Sequence, residues 1–241
     1  MTLKARIISY TEVDDDFVKQ AQEEFLTLNP DKEDKLPQFD TLQDLVAFCA
    51  RVSNPANQMN EETSERLIQY LIKNSHWSPL EMVDVTLEIE TTRDIARQML
   101  RHRSFSFQEF SQRYANPNEL NNTFVLREAR LQDLKNRQNS VEVNNPELQK
   151  EWAKRQQAVI DLAKETYEWA ISEGVGIAKE QARCVLPEGN TISKLYMKGS
   201  LRSWIHYLQL RSANGTQKEH IEVALACAEI IAKVFPLLTK I

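Results

Sequence analysis

Glycine is scarce in this sequence, and that scarcity limits the kinds of nucleotide site that the chain can build. Only 5 of its 241 residues are glycine, against a usual share of about 7%. The phosphate-binding pattern GxxxxGK[ST] is absent, and Gly174-Val175-Gly176 lacks the third glycine of a dinucleotide fingerprint and follows a helical pattern. Any nucleotide site is therefore expected to be built from side chains.

Cysteines and long apolar runs are also few. Cys49, Cys184 and Cys227 lie far apart and form no CxxC pair, which favours a reduced chain in the cytoplasm. No stretch reaches the roughly 20 apolar residues that cross a bilayer, and residues 1–17 contain no apolar segment typical of a signal peptide. The four histidines are dispersed without HExxH spacing, so no metal site is expected.

The chain does contain the material for an ordinary core. Hydrophobic residues make up 41% of the sequence and charged residues 27%, and the formal net charge is −5. A chain of this length and composition can bury enough apolar surface to fold, which argues against wholesale disorder. The sequence therefore predicts a soluble globular protein.

Hydrophobic periodicity predicts many helices and few strands. Strict alternation of apolar and polar residues over 83–90 predicts a half-buried strand, and 191–198 is a second candidate. Because the strands do not alternate regularly with helices, we expect an α+β fold: one mostly helical domain over 1–241 with a small mixed or antiparallel sheet. Apolar spacing and end signals predict helices over about 40–53 behind a cap at Asp40, 60–74, 92–103, 146–173, 177–185, from 200 onward, and 217–234.

Two parts of the chain give weaker signals. The first 35 residues or so carry no clear pattern. Residues 116–146 are rich in asparagine and hold only short apolar pieces such as Phe124-Val125-Leu126. This composition predicts a mobile surface excursion around one short strand. Its asparagines are Asn116, Asn118, Asn121, Asn122, Asn136, Asn139, Asn144 and Asn145.

Positive charge is concentrated in one segment of this acidic chain. Residues 91–114 hold five arginines and two carboxylates, a local charge of +3, which leaves −8 for the rest of the molecule. Guanidinium groups match phosphate oxygens in pairs and concentrate the potential locally, so such an island is typical of a site for a small anion. The stretch 104–114 is also too polar for a plain connector between apolar elements.

Composition alone leaves other interpretations of this island open. Arg101-His102-Arg103 can decorate the end of a helix, where cations complement the negative end of the dipole. Aromatic residues interleaved with the arginines suit a single-stranded nucleic-acid-binding module, although the pI of about 5.5 and the lack of an extended basic stripe argue against it. A non-catalytic helical scaffold, in which 104–114 forms subunit contacts, is the third interpretation.

The residues of the island resemble a known family. Arg101-His102-Arg103, seven further residues and Ser111 form the RHRx7S signature of the flavin-dependent thymidylate synthases. Residues 76–81 resemble that family's HxTPxEH element, with Ser78 for threonine and without the final histidine. The segments 50–53, 182–187 and 200–211 also resemble family blocks, so that the resemblance covers roughly residues 40–235.

This resemblance implies an enzyme that converts dUMP to dTMP by reductive methylation. Methylenetetrahydrofolate would give the carbon, FAD would carry the hydride, and NADPH would reduce the flavin. The resemblance further implies a homotetramer whose subunits share active sites, with dUMP, folate and NADPH as small-molecule partners and neither nucleic acid nor membrane among them.

By the same resemblance, nine residues are expected to hold FAD. The dinucleotide carries two phosphate charges, which arginines can neutralise where glycine loops are missing. From residue type alone, His76 is instead a connector residue satisfied by the backbone, and His206 lies on the polar edge of a helix. The expected flavin residues are Ser53, His76, Ser78, Glu81, Arg101, His102, Arg103, Arg202 and His206.

A second set matches positions that the family uses for dUMP. A nucleotide monophosphate carries nearly two negative charges, for which arginines with hydroxyl and amide donors form a suitable clamp. Alternatively, Gln98 is a helix-surface amide and Glu109 an ion-pair partner of nearby arginines. The expected substrate residues are Gln98, Glu109, Ser111, Gln112, Arg113, Arg183 and Arg211.

Ser111 and Arg211 are also expected to be catalytic residues. Ser111 is assigned a binding role rather than a nucleophilic one, because the sequence shows no GxSxG elbow and no Ser-His-Asp arrangement. The flavin is expected to supply the chemistry. Two positions depart from the family pattern: Gln108 stands where asparagine is usual, and Gly215 stands where a histidine is common.

Overall fold

An antiparallel sheet lies at the centre of the molecule. The computed structural model describes residues 4–31, 33, 36–117, 120 and 123–240. In those residues the strands are β1 (Lys4–Tyr10), β2 (Asp84–Thr92), β3 (Ser106–Glu109), β4 (Arg130–Gln132), β5 (Ser140–Glu142) and β6 (Ile192–Ser200). The central sheet has the order β1-β2-β6-β3 with every neighbouring pair antiparallel, and β4 and β5 form a separate hairpin.

Helices are the more abundant secondary structure in the described residues. They are α1 (Asp15–Leu28), α2 (Leu42–Ala50), α3 (Ser64–Lys73), α4 (Arg93–Met99), α5 (Pro146–Ile171), α6 (Lys179–Ala182), α7 (Leu201–Arg211) and α8 (Lys218–Ile231). The predicted α+β class, mostly helical with a small antiparallel sheet, is confirmed. Within the described ranges, no helix is both long enough and apolar enough to cross a bilayer.

The strand predicted from alternating residues is confirmed as β2. Val85, Leu87 and Ile89 are at most 1% exposed, and Leu87 and Ile89 lie opposite Met197 and Leu195 of β6. Side chains of α2, α3, α7 and α8 cover this apolar face and complete the core. Full burial of each such aliphatic side chain contributes about 1.5–3 kcal/mol, so this face holds the sheet and α7 together.

The helix predicted over 92–103 ends earlier than expected. The α-helix α4 stops at Met99, and the chain then makes two turns, in which the His102 N–H donates to the Met99 carbonyl and the Phe105 N–H to the His102 carbonyl. These turns bring Phe105 into the core beside Gly199, where an added Cβ would lie 2.5 Å from the Phe105 ring. The prediction that 101–103 closes a helix is therefore wrong, because Phe105 requires a change of direction.

Several element ends also differ from the predictions. The cap of α2 is Thr41 rather than Asp40, because Thr41 forms a capping box with Asp44. The helix predicted over 177–185 is only α6, after which 183–185 tighten into a 3-10 turn. The N-terminal region, which gave no signal, contains β1 and α1, and Asp14 caps α1 by accepting two backbone hydrogen bonds.

The segment 116–146 contains more structure than one short strand. Residues 130–132 and 140–142 form the β4-β5 hairpin, while Phe124 makes only an isolated bridge to Thr191. Arg127 ties the segment to the body by donating to the Gly189 carbonyl, the Thr92 hydroxyl and Asp94. Asn118, Asn121 and Asn122 lie outside the described residues, and the mobility of the segment stays a prediction.

Candidate functional site

A carboxylate at the start of α7 organises the first group of predicted flavin residues. Glu81 ends the 3-10 turn Ser78–Glu81 and accepts hydrogen bonds from the Ser200 hydroxyl at 2.5 Å and from Arg202 at 2.6 Å. The hydrogen bond from Ser200, followed by the interactions with Arg202, holds the pKa of Glu81 below its ordinary value. We call Glu81, Ser200 and Arg202 the Glu81 cluster.

Two histidines flank this cluster. His206 lies one helical turn after Arg202 on α7, and its ring meets the Trp77 indole edge-to-face at a centroid distance of 4.4 Å. Trp77 stands between the predicted residues His76 and Ser78, so one surface carries the turn and the first half of α7. The structure therefore brings five of the predicted flavin residues together: His76, Ser78, Glu81, Arg202 and His206.

Ser53 lies beside a neighbouring cleft rather than in the Glu81 cluster. The cleft has a volume of about 470 Å³, and its lining includes Ser53, Arg66 and Tyr70. The Tyr70 ring also contacts His76 edge-to-face at a centroid distance of 6.0 Å. Tyr70 therefore lines this cleft and also contacts the segment 76–81, which carries three of the predicted flavin residues.

The three residues of the RHR signature differ in exposure. Arg101 and Arg103 are exposed, and among the described residues no carboxylate pairs with either. His102 is partly buried, and its Nε2 accepts a hydrogen bond from Arg211 Nε at 2.9 Å. Because an arginine Nε always carries its hydrogen, His102 Nε2 must be the acceptor. Burial, followed by the charges of Arg211 and Arg101, lowers the pKa of His102 to about 4.

Arg211 is therefore held by a neutral partner. Its burial lowers the pKa of the guanidinium, as does the nearby charge of Arg101, yet an arginine stays charged at neutral pH. Within the described part of the chain, no carboxylate forms an ion pair with Arg211. We call His102 and Arg211 the Arg211 cluster, and it presents a positive charge that no carboxylate there compensates.

A buried histidine extends this cluster into the core. The His102 ring contacts Tyr207 edge-to-face at a centroid distance of 5.0 Å, and the Tyr207 hydroxyl lies 3.1 Å from His220 Nε2. His220 is fully buried, and its Nδ1 lies 3.2 Å from Gln98 Oε1. Burial, followed by the charges of Arg211 and His102, lowers the pKa of His220 to about 3. The predicted residue Gln98 thus takes part in an interior network and is not a surface amide.

The RHR turns and α7 are also joined directly. The Ser203 hydroxyl donates to the Ser104 carbonyl at 3.3 Å, next to Arg103. Ser203 lies on the first turn of α7, whose cap is Ser200 of the Glu81 cluster. The turns after α4 and the first turn of α7 are therefore held together, which places the RHR residues close to the start of α7.

The predicted substrate residue Glu109 lies at the end of β3 in a polar interior position. Its Oε1 accepts a hydrogen bond from the Ser193 hydroxyl at 2.7 Å and lies 3.4 Å from Arg93 Nη1. The alternative interpretation of Glu109 as an arginine partner therefore applies, and the partner is Arg93. Arg93 is only 9% exposed, so this pair also fixes the start of α4 against β3.

Glu180 contacts two other predicted substrate residues, one through its carboxylate and one through its backbone carbonyl. Arg113 Nη2 lies 3.2 Å from Glu180 Oε2, and Arg183 Nε donates to the Glu180 carbonyl at 3.3 Å. We call these three residues the Glu180 cluster. Among the residues that the structure describes, no hydrogen bond or ion pair joins a member of this cluster to a member of the Glu81 or Arg211 clusters. One chain therefore does not bring all the predicted residues together.

Ser111 and Gln112 lie in the turn before Arg113. The Ser111 hydroxyl accepts a long, 3.4 Å hydrogen bond from the Arg113 N–H. The Gln112 side chain is only 3% exposed, and its Nε2 has no hydrogen-bond partner among the described residues. A buried donor without a partner is unfavourable by about 1–3 kcal/mol, which makes Gln112 a suitable donor for a bound molecule.

Sequence reasoning missed the residues that hold the predicted ones in place. Ser200, Tyr207, His220 and Glu180 contact predicted site residues, but none belongs to the signature. The sequence predicts Ser200 as the start of a helix and the first residue of a family block, without a role in the site, and His220 only as one dispersed histidine. In the parts of the chain that the structure describes, no group of three or more histidine, cysteine or acidic residues is arranged to hold a metal ion.

Sequence comparisons find relatives over most of the chain. Residues 35–237 match the family described as thymidylate synthase complementing protein. A probable flavin-dependent thymidylate synthase of Paramecium bursaria Chlorella virus 1 is 49% identical over 200 residues, which cover 83% of this chain and 90% of the relative. A flavin-dependent thymidylate synthase of Synechocystis sp. is 53% identical over 192 residues, which cover 80% of this chain and 85% of the relative.

Structure comparison gives the same fold. The crystal structure of a UMP/dUMP methylase, PolB from Streptomyces cacaoi, bound with 5-Br dUMP, aligns with a TM-score of 0.74. The alignment covers 99% of this chain and 93% of that chain, at 22% sequence identity. At this identity the likeness establishes the shared architecture.

Proposed function

We propose how the residues of this chain, which belongs to the flavin-dependent thymidylate synthase family, divide the work of its reaction. The protein is an enzyme that methylates dUMP to dTMP and depends on a flavin. The alternatives, a nucleic-acid-binding module and a non-catalytic scaffold, are not favoured, because the family signature lies within the arginine island.

We further propose that the flavin is FAD, that NADPH reduces it, and that methylenetetrahydrofolate gives the carbon. When bound, FAD supplies hydride transfer, which no amino-acid side chain can perform. The protein's part is then to bind and orient the reactants and to place charge beside them.

The available donors suit a dinucleotide. The exposed guanidinium groups of Arg101 and Arg103 have no carboxylate partner among the described residues, and Arg202 is held in position by Glu81. Such groups pair with phosphate oxygens in a bidentate manner, which supports their assignment to the diphosphate of FAD. The residues proposed to hold FAD are Ser53, His76, Ser78, Glu81, Arg101, His102, Arg103, Arg202 and His206.

The residues proposed for dUMP divide into two groups. Arg211 and Gln98 belong to the α4–α7 region, while Glu109, Ser111, Gln112, Arg113 and Arg183 lie on and beyond β3 or beside α6. Arg211 Nε is occupied by His102, which leaves the two Nη groups of the guanidinium to donate toward the nucleotide. When Arg113 binds an anion, its guanidinium must either leave the Glu180 carboxylate or contact that carboxylate and the anion together. Ser111 and Arg211 remain the proposed catalytic residues.

We propose that the enzyme is a homotetramer with shared active sites. The separation of the Glu180 cluster from the Arg211 cluster within one chain supports this proposal, since a second subunit can supply the missing group. We also propose a single domain over 1–241 and a cytoplasmic location. The location is supported by the three cysteines, all of which are free.

The observation that carries the proposal is the pairing of Arg211 with a neutral His102. A partly buried guanidinium without a carboxylate partner among the described residues is a strong attractor for an anionic nucleotide. The test is single-turnover conversion of dUMP by enzyme that has been loaded with FAD and reduced, in the presence of methylenetetrahydrofolate. We expect dTMP and tetrahydrofolate, whereas dihydrofolate as the product would contradict the flavin as the hydride source.

A matched pair of variants makes this test specific. Arg211→Ala should lower dTMP formation by at least about 100-fold, since it removes the proposed charge at the substrate. Arg137→Ala removes an exposed arginine of the 116–146 segment and should leave the rate unchanged. Equal rates in both variants would refute the assignment of Arg211.

A further inference from the structure

A continuous chain of hydrogen bonds connects a buried carboxylate to Gln98. Gln217 Nε2 donates to Glu219 Oε2 at 3.0 Å, and Gln98 Nε2 donates to Gln217 Oε1 at 3.1 Å. His220 Nδ1 lies 3.2 Å from Gln98 Oε1, and the Tyr207 hydroxyl lies 3.1 Å from His220 Nε2. Five side chains from α4, α7 and the start of α8 are therefore linked end to end.

The carboxylate end fixes the direction of every bond in this chain. An ionised carboxylate only accepts hydrogen bonds, so the amide NH2 group of Gln217 must face Glu219 and its side-chain carbonyl must face Gln98. Gln98 must then turn its amide NH2 group to Gln217 and its side-chain carbonyl to His220. A flipped amide at either glutamine would place two acceptors against each other.

The same reasoning continues through the histidine. Because the Gln98 carbonyl accepts only, His220 must carry its hydrogen on Nδ1, and its Nε2 must accept from the Tyr207 hydroxyl. The chain therefore has one polarity, from Tyr207 as the first donor to Glu219 as the last acceptor.

Glu219 is held as a carboxylate by two arginines. It is only 7% exposed, its Oε1 accepts from Arg130 Nη2, and its Oε2 lies 3.2 Å from Arg127 Nη1. Burial works to raise the pKa of Glu219, but the hydrogen bond from Arg130 and the charge of Arg127 lower it overall. Both arginines come from the segment 116–146, so that segment helps to keep the acceptor end ionised.

We propose that Glu219, Gln217 and His220 are positioning residues that fix the Gln98 carboxamide in one of its two orientations for nucleotide binding. The inference rests on the proposed function, because it takes Gln98 as a dUMP residue. In this orientation Gln98 keeps one N–H and one carbonyl lone pair beyond those used in the chain, and these remain for a ligand. The polarity of the hydrogen-bond chain decides where the free N–H and where the free carbonyl lone pair of Gln98 face the ligand.

The first test measures the polarity directly. Enzyme loaded with FAD and labelled with 15N only in histidine has four imidazoles to observe, and their nitrogen chemical shifts show which ring nitrogen carries the hydrogen. The His220 signal is assigned by its loss in His220→Asn. We expect the Nδ1–H form of His220 at pH 7, and the Nε2–H form would overturn the proposal.

The second test measures the consequence for binding. Gln217→Met keeps the side-chain length but removes both hydrogen bonds, and residue 217 is a partly exposed position at the start of α8. We expect the Kd for dUMP, measured by calorimetry on the FAD-loaded enzyme, to rise about tenfold with unchanged FAD content. Gln22→Met, which removes a part-buried amide on α1 that donates to the Pro37 carbonyl, should leave the Kd unchanged.

A double-mutant cycle separates positioning from a general effect. If Gln217 acts through Gln98, then Gln217→Met should have no further effect on the Kd in a Gln98→Met background. Independent effects that multiply, an unchanged Kd in Gln217→Met, or an equal rise in Gln22→Met would each overturn the proposal.

These outcomes are distinguishable from failure of the proposed function. Wild-type enzyme that does not bind dUMP would refute the proposed function and with it the role of Gln98 in nucleotide binding. The histidine tautomer would still establish or overturn the polarity of the chain, because that measurement requires no substrate.

Discussion

Acid should destabilise this protein through its buried histidine. Burial lowers the pKa of His220 to about 3, against an ordinary value of 6.5. Between these two pH values the unfolded chain binds a proton that the folded protein does not bind. The free energy of unfolding therefore rises with pH in this interval, and the stabilisation is lost as the pH falls below about 6.5.

The size of the effect follows from the two pKa values. At pH 5, protonation of a histidine with a pKa of 6.5 stabilises the unfolded state by about 2 kcal/mol. In the folded state the pKa of His220 is near 3, so protonation at pH 5 stabilises that state by almost nothing. At pH 7.5 neither state is protonated at this position. The free energy of unfolding falls between pH 7.5 and pH 5, and replacing His220 should make this fall smaller by about 2 kcal/mol.

The assay is urea unfolding of wild-type protein and His220→Asn at both pH values, with FAD at the same saturating concentration. At pH 7.5 the variant should be less stable by about 1–3 kcal/mol, because Tyr207 loses its acceptor. At pH 5 this difference should shrink by about 2 kcal/mol. A difference that is equal at both pH values would refute the reasoning.

Tyr207→Phe is the matched control. It removes the same hydrogen bond but keeps the histidine buried, so it should lower stability at pH 7.5 and retain the pH dependence of the wild-type protein. If Tyr207→Phe also flattened the pH dependence, the effect would have to come from a group other than His220.

Two further substitutions test the flavin site and the packing below it. Arg103→Ala should weaken FAD retention, measured by flavin absorbance after gel filtration, more than it lowers the melting temperature, while Arg137→Ala should change neither. Equal FAD content with a lowered melting temperature would contradict the flavin role of Arg103. Gly199→Ala should destabilise the protein by about 1–3 kcal/mol in urea unfolding, because its Cβ would lie 2.5 Å from the Phe105 ring. Gly174→Ala, which meets nothing within 4 Å, should be neutral, and equal losses in the two glycine variants would contradict the steric argument.

Local patterns were sufficient to predict the central part of the fold. Alternation over 83–90 predicted β2 because one face of that strand is buried and the other is polar. The same argument could not find β3, which has only four residues and depends on its neighbour β6. Nor could it find the end of α4, which is decided by Phe105 packing against Gly199 on a strand far along the chain.

In the candidate site, too, the sequence predicts what depends on neighbouring residues and misses what depends on contacts between distant segments. The RHRx7S signature pointed to the correct family from contiguous residues, since the signature lies within one turn-rich segment. The partners of those residues come from distant segments: Ser200 is 119 positions from Glu81, and Arg211 is 109 positions from His102. Pairings at such separations depend on sheet order and helix packing, which no local pattern encodes.

The different partners of the arginines have a consequence for how the site can work. Arg202 and Arg113 each face a carboxylate, so part of their charge is already compensated, and their side chains are held in place before any ligand arrives. Such preorganisation reduces the loss of side-chain entropy on binding. Arg211 is held instead by neutral His102 and keeps its full charge. A glycine-poor chain can thus separate two tasks, with carboxylate-paired arginines giving shape and Arg211 giving uncompensated charge at the proposed substrate site.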